Sequence, residues 1–90
     1  MAYRHDDNHK AIAKAFQDCG WTVTDTSWSR GRLLDMIVER RKDEMYYIEV
    51  KNGPKYELTD REKEFIPLHP GRCLIIWSVE QVKKLSGVLQ

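Results

Sequence analysis

Two short runs of β-forming residues on either side of a charged turn constrain this chain more than any other feature. Leu33-Leu34-Asp35-Met36-Ile37-Val38 and Met45-Tyr46-Tyr47-Ile48 are rich in β-branched and aromatic side chains, which suit a pleated, half-buried surface. Arg40-Arg41-Lys42-Asp43-Glu44 between them reads as a turn, and Glu49-Val50-Lys51 closes the second run. The pair folds as a hairpin about Lys42 or Asp43. Residues directly opposite share a face, and so do residues two apart on one strand. One face then carries Leu34, Met36 and Val38 against Tyr46, Ile48 and Val50, which is a core surface. On the other, Asp35 lands opposite Glu49 or Lys51, and the three converge if loop length or a bulge supplies that register.

Such a triplet has two readings. Charges alternating with apolar residues are what any antiparallel strand with one wetted face shows. Two carboxylates and a lysine on the edge of a buried sheet also make a site for a hard divalent metal and a phosphate.

Ninety residues allow one small domain, residues 1–90, with one sheet, a few helices and no second core. A hydrophobic content of 41% beside 32% charged residues argues for a folded globular body rather than disorder. The net charge of +1 is no polyanion-binding signature, so a nucleic-acid partner must be met by a local patch or by a dimer that pools two patches. No stretch approaches the roughly 18 apolar residues of a membrane span, and Met1-Ala2-Tyr3-Arg4 does not begin a signal peptide. Cys19 and Cys73 match no zinc spacing and no disulfide framework. Both lie among apolar residues, so buried thiols and a cytoplasmic location are expected.

The first helix is expected from Asn8 to Cys19, capped by Asp7 or Asn8 and stopped by Gly20. Ile12, Ala15, Phe16 and Cys19 form its apolar stripe, which His9 extends at the N-terminal end. Trp21-Thr22-Val23-Thr24 reads as a strand, and Ser27-Trp28-Ser29-Arg30-Gly31-Arg32 as a basic loop carrying an aromatic. Asn52-Gly53-Pro54-Lys55 breaks the strand after Lys51. Thr59-Asp60-Arg61-Glu62 is a capping-box pattern opening a helix that ends by Pro67. Cys73-Leu74-Ile75-Ile76-Trp77 is continuously apolar, as for a strand buried on both faces. Ser78-Val79-Glu80-Gln81 opens a last helix with Val79, Val82, Leu85 and Leu89 on one side. The order is helix, three strands, helix, strand, helix: a mixed α/β domain whose central sheet is flanked by helices.

That order, with the charged triplet on the second and third strands, resembles the restriction-endonuclease-like core of the PD-(D/E)XK nuclease superfamily. The run from Gly31 to Leu85 carries the more specific likeness. Gly31 precedes the aspartate strand, Ile48-Glu49-Val50-Lys51 follows, and Leu58-Thr59 opens a helix with Glu62 and Phe65. Arg72-Cys73-Leu74-Ile75-Ile76-Trp77-Ser78-Val79 then leads into the final helix. In these features the chain is similar to small stand-alone VRR-NUC-type nucleases and related phage proteins.

The resemblance implies that Asp35 and Glu49 ligate Mg²⁺ or Mn²⁺, with the Val50 carbonyl as a backbone ligand. It implies that Lys51 places the attacking water or stabilises the transition state. The chain departs from the pattern at three positions. Leu34 stands where a proline often precedes the aspartate, and Glu62 where relatives carry a glutamine. His9 matches a first-helix glutamate that reaches the metal in many relatives. Histidine suits Mn²⁺ better than Mg²⁺, and packing at the helix end accounts for His9 equally well. The capping box explains Glu62 without catalysis, and Asp7 is either an N-cap or an accessory group at the site. Lys10, Lys14, Arg30, Arg32 and Lys55 are the candidate DNA contacts. Trp28 either stacks on a base or sits in a subunit interface.

The expected activity is metal-dependent DNA endonuclease cleavage of phosphodiester bonds by a homodimer, in the manner of Holliday-junction resolvases acting on branched DNA. The rival is a DNA-binding or assembly module that keeps the nuclease fold without activity. A small α/β protein with no nucleic-acid role is the third reading.

Overall fold

The computed structural model describes residues 7–29 and 34–88. It contains helix α1 (Asp7–Asp18), strand β1 (Thr22–Asp25), a 3₁₀ turn (Ser27–Ser29), strands β2 (Met36–Glu39) and β3 (Met45–Val50), helix α2 (Asp60–Leu68), strand β4 (Cys73–Ile76) and helix α3 (Val79–Leu85). The four strands form one mixed sheet in the order β1-β2-β3-β4. β1, β2 and β3 are successively antiparallel, and β4 lies parallel to β3 after the crossover through α2. The protein is thus a mixed α/β domain with three helices and a four-stranded sheet among the described residues.

The hairpin register is the one centred on Lys42: Met36 pairs with Ile48, and Val38 with Tyr46. Asp35 donates its N–H to the carbonyl of the same Ile48, at 2.9 Å. Two consecutive residues therefore face one, the arrangement of a β-bulge, which re-aims the chain where a strand begins. β2 consequently starts at Met36, with Leu34 and Asp35 ahead of it; Leu33 and Gly31 lie outside the described residues.

α1 buries its expected stripe. Ile12 and Phe16 are fully enclosed and join Ala15, Trp21, Met36, Val38, Ile48, Ile76 and Val82 in one core. Each large side chain here contributes roughly 1.5–3 kcal/mol through removal from water. Phe16 meets the Trp21 ring edge-on, with centroids 5.7 Å apart. Gly20, at φ +91°, lets the Trp21 N–H return to the Phe16 carbonyl at 2.9 Å and close the helix. α3 packs on the same side, its Val79, Val82 and Leu85 directed into the core; Leu89 lies outside the described residues. α2 meets the opposite sheet face, where the Tyr47 ring contacts Phe65 edge-on at 5.1 Å.

Several expectations change. α2 runs through Pro67 to Leu68 because a proline in a last turn forfeits only its own N–H bond. β4 is not buried on both faces. It is an edge strand in which only Ile76 is buried, because helices of seven and nine residues do not cover an edge in so small a body. Cys19 and Cys73 are accordingly half-buried rather than enclosed. Among the described residues, no helix is long and apolar enough to cross a membrane.

Candidate active site

The site forms at the C-terminal end of β3. Glu49 sits on the face covered by α2 and is buried. Lys51 Nζ lies 3.6 Å from Glu49 Oε2 and donates to Glu62 Oε1 at 2.9 Å. Asp35 reaches the same place from the bulge, where its Oδ2 accepts the Val50 N–H at 2.8 Å. The hairpin thus brings Asp35, Glu49 and Lys51 together, and Val50 enters through its backbone.

Glu62 is the residue whose contribution exceeds its sequence reading. Thr59 and Glu62 make the full capping box at the start of α2. The same Oε1 that accepts the Thr59 N–H at 3.0 Å also receives Lys51, so the cap and the lysine anchor are one carboxylate oxygen. The only sequence signal for this was a charged N3 residue on the helix that follows Lys51.

These carboxylates crowd one another. Burial, the Asp35 carboxylate and a hydrogen bond with Glu62 push the Glu49 carboxyl up to about 9, against the pull of Lys51. Burial works the same way on Glu62, but the Thr59 N–H, Lys51 and Glu49 outweigh it and bring Glu62 below its ordinary value. Burial acts to lower Lys51, yet the bond to Glu62 and the charges of Glu49 and Glu62 hold it above its ordinary value. The lysine is therefore an ammonium and a donor, while crowding and burial favour the protonated form of Glu49.

Two residues outside the triplet hold its frame. Asn8, expected as a possible cap, lies inside α1 and donates from Nδ2 to the Lys51 carbonyl at 2.6 Å and the Trp77 carbonyl at 3.4 Å. It ties α1 to the ends of β3 and β4. Thr26 is buried and fastens the residues at the bulge: its N–H donates to the Asp35 carbonyl at 2.9 Å and its hydroxyl to the Leu34 carbonyl at 2.5 Å. Neither carries a signal that periodicity or spacing reveals.

His9 is buried, with Nε2 4.0 Å from Asp25 Oδ2 on β1. Among the described residues, no three His, Cys, Asp or Glu side chains form a group that could hold a metal ion, and the structure places His9 against Asp25. Asp7 begins α1, but its side chain lies outside what the structure describes. Arg30 and Arg32 also lie outside the described residues. Lys10, Lys14 and Lys55 are exposed, and Lys14 pairs with Asp18 one turn along α1 at 2.9 Å. Trp28 is 76% exposed, with its indole Nε1 donating to the Asp25 carbonyl at 2.8 Å.

No family model, curated protein or solved structure matches this chain.

The donor set fits a hard divalent cation. Asp35 and Glu49 offer carboxylate oxygens, and Mg²⁺ commonly takes only one or two carboxylates and keeps its waters.

Proposed function

We propose that this chain is a Mg²⁺- or Mn²⁺-dependent DNA endonuclease with a restriction-endonuclease-like core of the PD-(D/E)XK kind, similar to small VRR-NUC-type nucleases. The observation that carries this reading is the meeting of Asp35, Glu49 and Lys51 at the end of β3, with Glu49 raised to about 9 by burial and by Asp35. The order of helices and strands and the parallel β4 support the same reading.

In this reading Asp35, Glu49 and the Val50 carbonyl hold the cation. Such an ion, when bound, supplies Lewis acidity toward the phosphate and lowers the pKa of water at the site. To ligate such an ion, Glu49 would release its proton to solvent. Lys51 stays an ammonium and donates toward the phosphate oxygen or the attacking water as charge develops there. Glu62 holds the Lys51 ammonium in position from the first turn of α2. Lys10, Lys14, Arg30, Arg32 and Lys55 supply contacts to the phosphate backbone, and Trp28 a stacking surface.

The enzyme acts as a homodimer on branched DNA in the cytoplasm of a bacterial or phage-infected cell, since one 90-residue body offers little surface to grip a junction. α3 directs its apolar side inward, so among the described residues the exposed Trp28, Tyr56, Leu68 and Val88 are the large hydrophobic side chains on offer to an interface. Light scattering on the protein with and without DNA tests this, and a persistent monomer excludes paired cutting.

The deciding experiment uses labelled single-stranded, duplex, flap and four-way-junction DNA, each with Mg²⁺, Mn²⁺ or EDTA. Cleavage of any form that EDTA abolishes is the expected result. DNA binding without cleavage in either metal selects the second reading, a non-catalytic binding or assembly module. His9 in place of a first-helix glutamate favours that reading.

A further inference from the structure

A concavity opens at the other end of β3, on the face that carries Glu49. Its volume is about 370 Å³, within the range of small-ligand sites, and Lys42, Asp43, Met45, Tyr47, His69 and Arg72 line it. Its aromatic wall is fixed before any ligand arrives. His69 stacks on Phe65 with centroids 4.1 Å apart and planes 20° from parallel, and Tyr47 meets His69 at 4.8 Å. The His69 Nδ1 lies 3.0 Å from the Phe65 carbonyl, which only accepts, so Nδ1 donates and holds the ring in place.

The cations are placed too. Arg72 Nη1 donates to the carbonyls of Asp43 and Met45 at 3.0 and 3.2 Å, which orients the guanidinium while Nη2 and Nε carry its other donors. Lys42 stands exposed on the hairpin turn. Aromatic surface beside two cations matches a base joined to a phosphate, with Asp43 the one acidic residue in the lining.

We propose that this cleft binds one nucleotide of a nucleic-acid strand, its base against Tyr47 and His69 and its phosphate against Lys42 and Arg72. This rests on the endonuclease reading in one respect: the strand is the one presented to Asp35, Glu49 and Lys51. Tyr47 and Glu49 are two residues apart on β3, about 7 Å along the strand, so the two places lie within the span of a few nucleotides, with α2 between them. The cleft thereby sets where the strand lies relative to the bond to be cut.

The test needs no catalysis. Isotope-labelled protein in EDTA is titrated with deoxyadenosine monophosphate, with inorganic phosphate and with a short single-stranded oligonucleotide, while backbone amide resonances are followed. The mononucleotide should shift Tyr47, His69 and Arg72, and the oligonucleotide should shift these together with Glu49 and Lys51. Removing a stacking partner typically costs about 1–3 kcal/mol, so His69→Ala should weaken mononucleotide binding roughly 5- to 150-fold. Lys42→Ala, at an exposed position, should weaken it several-fold with the rest of the spectrum unchanged.

Inorganic phosphate binding as tightly as the mononucleotide would overturn base recognition. Oligonucleotide shifts confined to Glu49, Lys51 and Trp28 would overturn the cleft and leave the endonuclease reading standing. Mononucleotide shifts in the cleft with no cleavage of any DNA form would uphold the nucleotide site and end the endonuclease reading.

Discussion

Glu49→Gln separates the cost of burying a carboxylate from its value as a ligand. Without a cation the Glu49 carboxyl titrates at about 9, against an ordinary value of 4.5. Between those values the folded protein binds one more proton than the unfolded chain. Stability is therefore greatest below about 4.5 and declines as pH rises toward about 9, by at most about 1.4 kcal/mol per pH unit. From 4.5 to neutral pH the full shift amounts to about 3 kcal/mol. The side chain is not wholly shielded from water and shares its proton with Glu62, so about 1–2 kcal/mol is the expected size. Glutamine carries no charge at any of these pH values. In EDTA, Glu49→Gln should melt at a higher temperature than wild type near pH 8, by about 5–15 °C for a domain of this size. The difference should shrink as pH falls to about 4 and below, where wild-type Glu49 is protonated in the folded state and mostly so in the unfolded chain. Saturating Mn²⁺ should reverse the order. Wild type gains about 2.7 kcal/mol at a hundredfold excess over the dissociation constant, while the variant has lost a ligand and gains little. Thermal melts followed by circular dichroism across pH, with EDTA or Mn²⁺, read both effects. A variant no more stable than wild type near pH 8 in EDTA would refute the burial argument. Equal stabilisation of both proteins by Mn²⁺ would refute Glu49 as a ligand.

Lys51→Ala should reduce cleavage by about 10²–10³ while Mn²⁺ and DNA binding persist, whereas Asp35→Asn should lose Mn²⁺ stabilisation and cleavage together. Glu62→Ala should cost about 1 kcal/mol or more in urea melts through the broken capping box, and Glu62→Gln should keep most of that stability while still slowing cleavage, because Lys51 loses its charged anchor. Phe16→Ala, in the fully enclosed core, should destabilise by about 3–5 kcal/mol, enough to abolish a cooperative thermal transition in so small a domain. Arg30→Ala with Arg32→Ala should reduce the slope of log K against log salt for duplex DNA by about 0.9 per phosphate contact removed; an unchanged slope means this loop does not touch the backbone.

Periodicity alone determined most of the frame. Ile12, Ala15 and Phe16 at helical spacing could only face a core, and Met36 and Val38 against Tyr46 and Ile48 could only be a hairpin with one apolar side. Thr59 with Glu62 and Ser78 with Gln81 marked two helix starts, because a cap is written in neighbouring residues. These signals are local, and local signals survive in one dimension. The tertiary structure decided the rest, because it depends on residues far apart in the chain. The register put Asp35 beside Glu49 through a bulge that no residue type announces. Glu62 serves Lys51 as well as its own helix only because α2 crosses back over the end of β3. Asn8 proved to be a bridge to the Lys51 and Trp77 carbonyls, 43 and 69 residues away. β4 became half-exposed because it closes the sheet at an edge, which its apolar composition could not foretell. The proton on Glu49 is likewise a tertiary property: carboxylates that are ordinary one at a time become costly when burial and one another's fields act on them together.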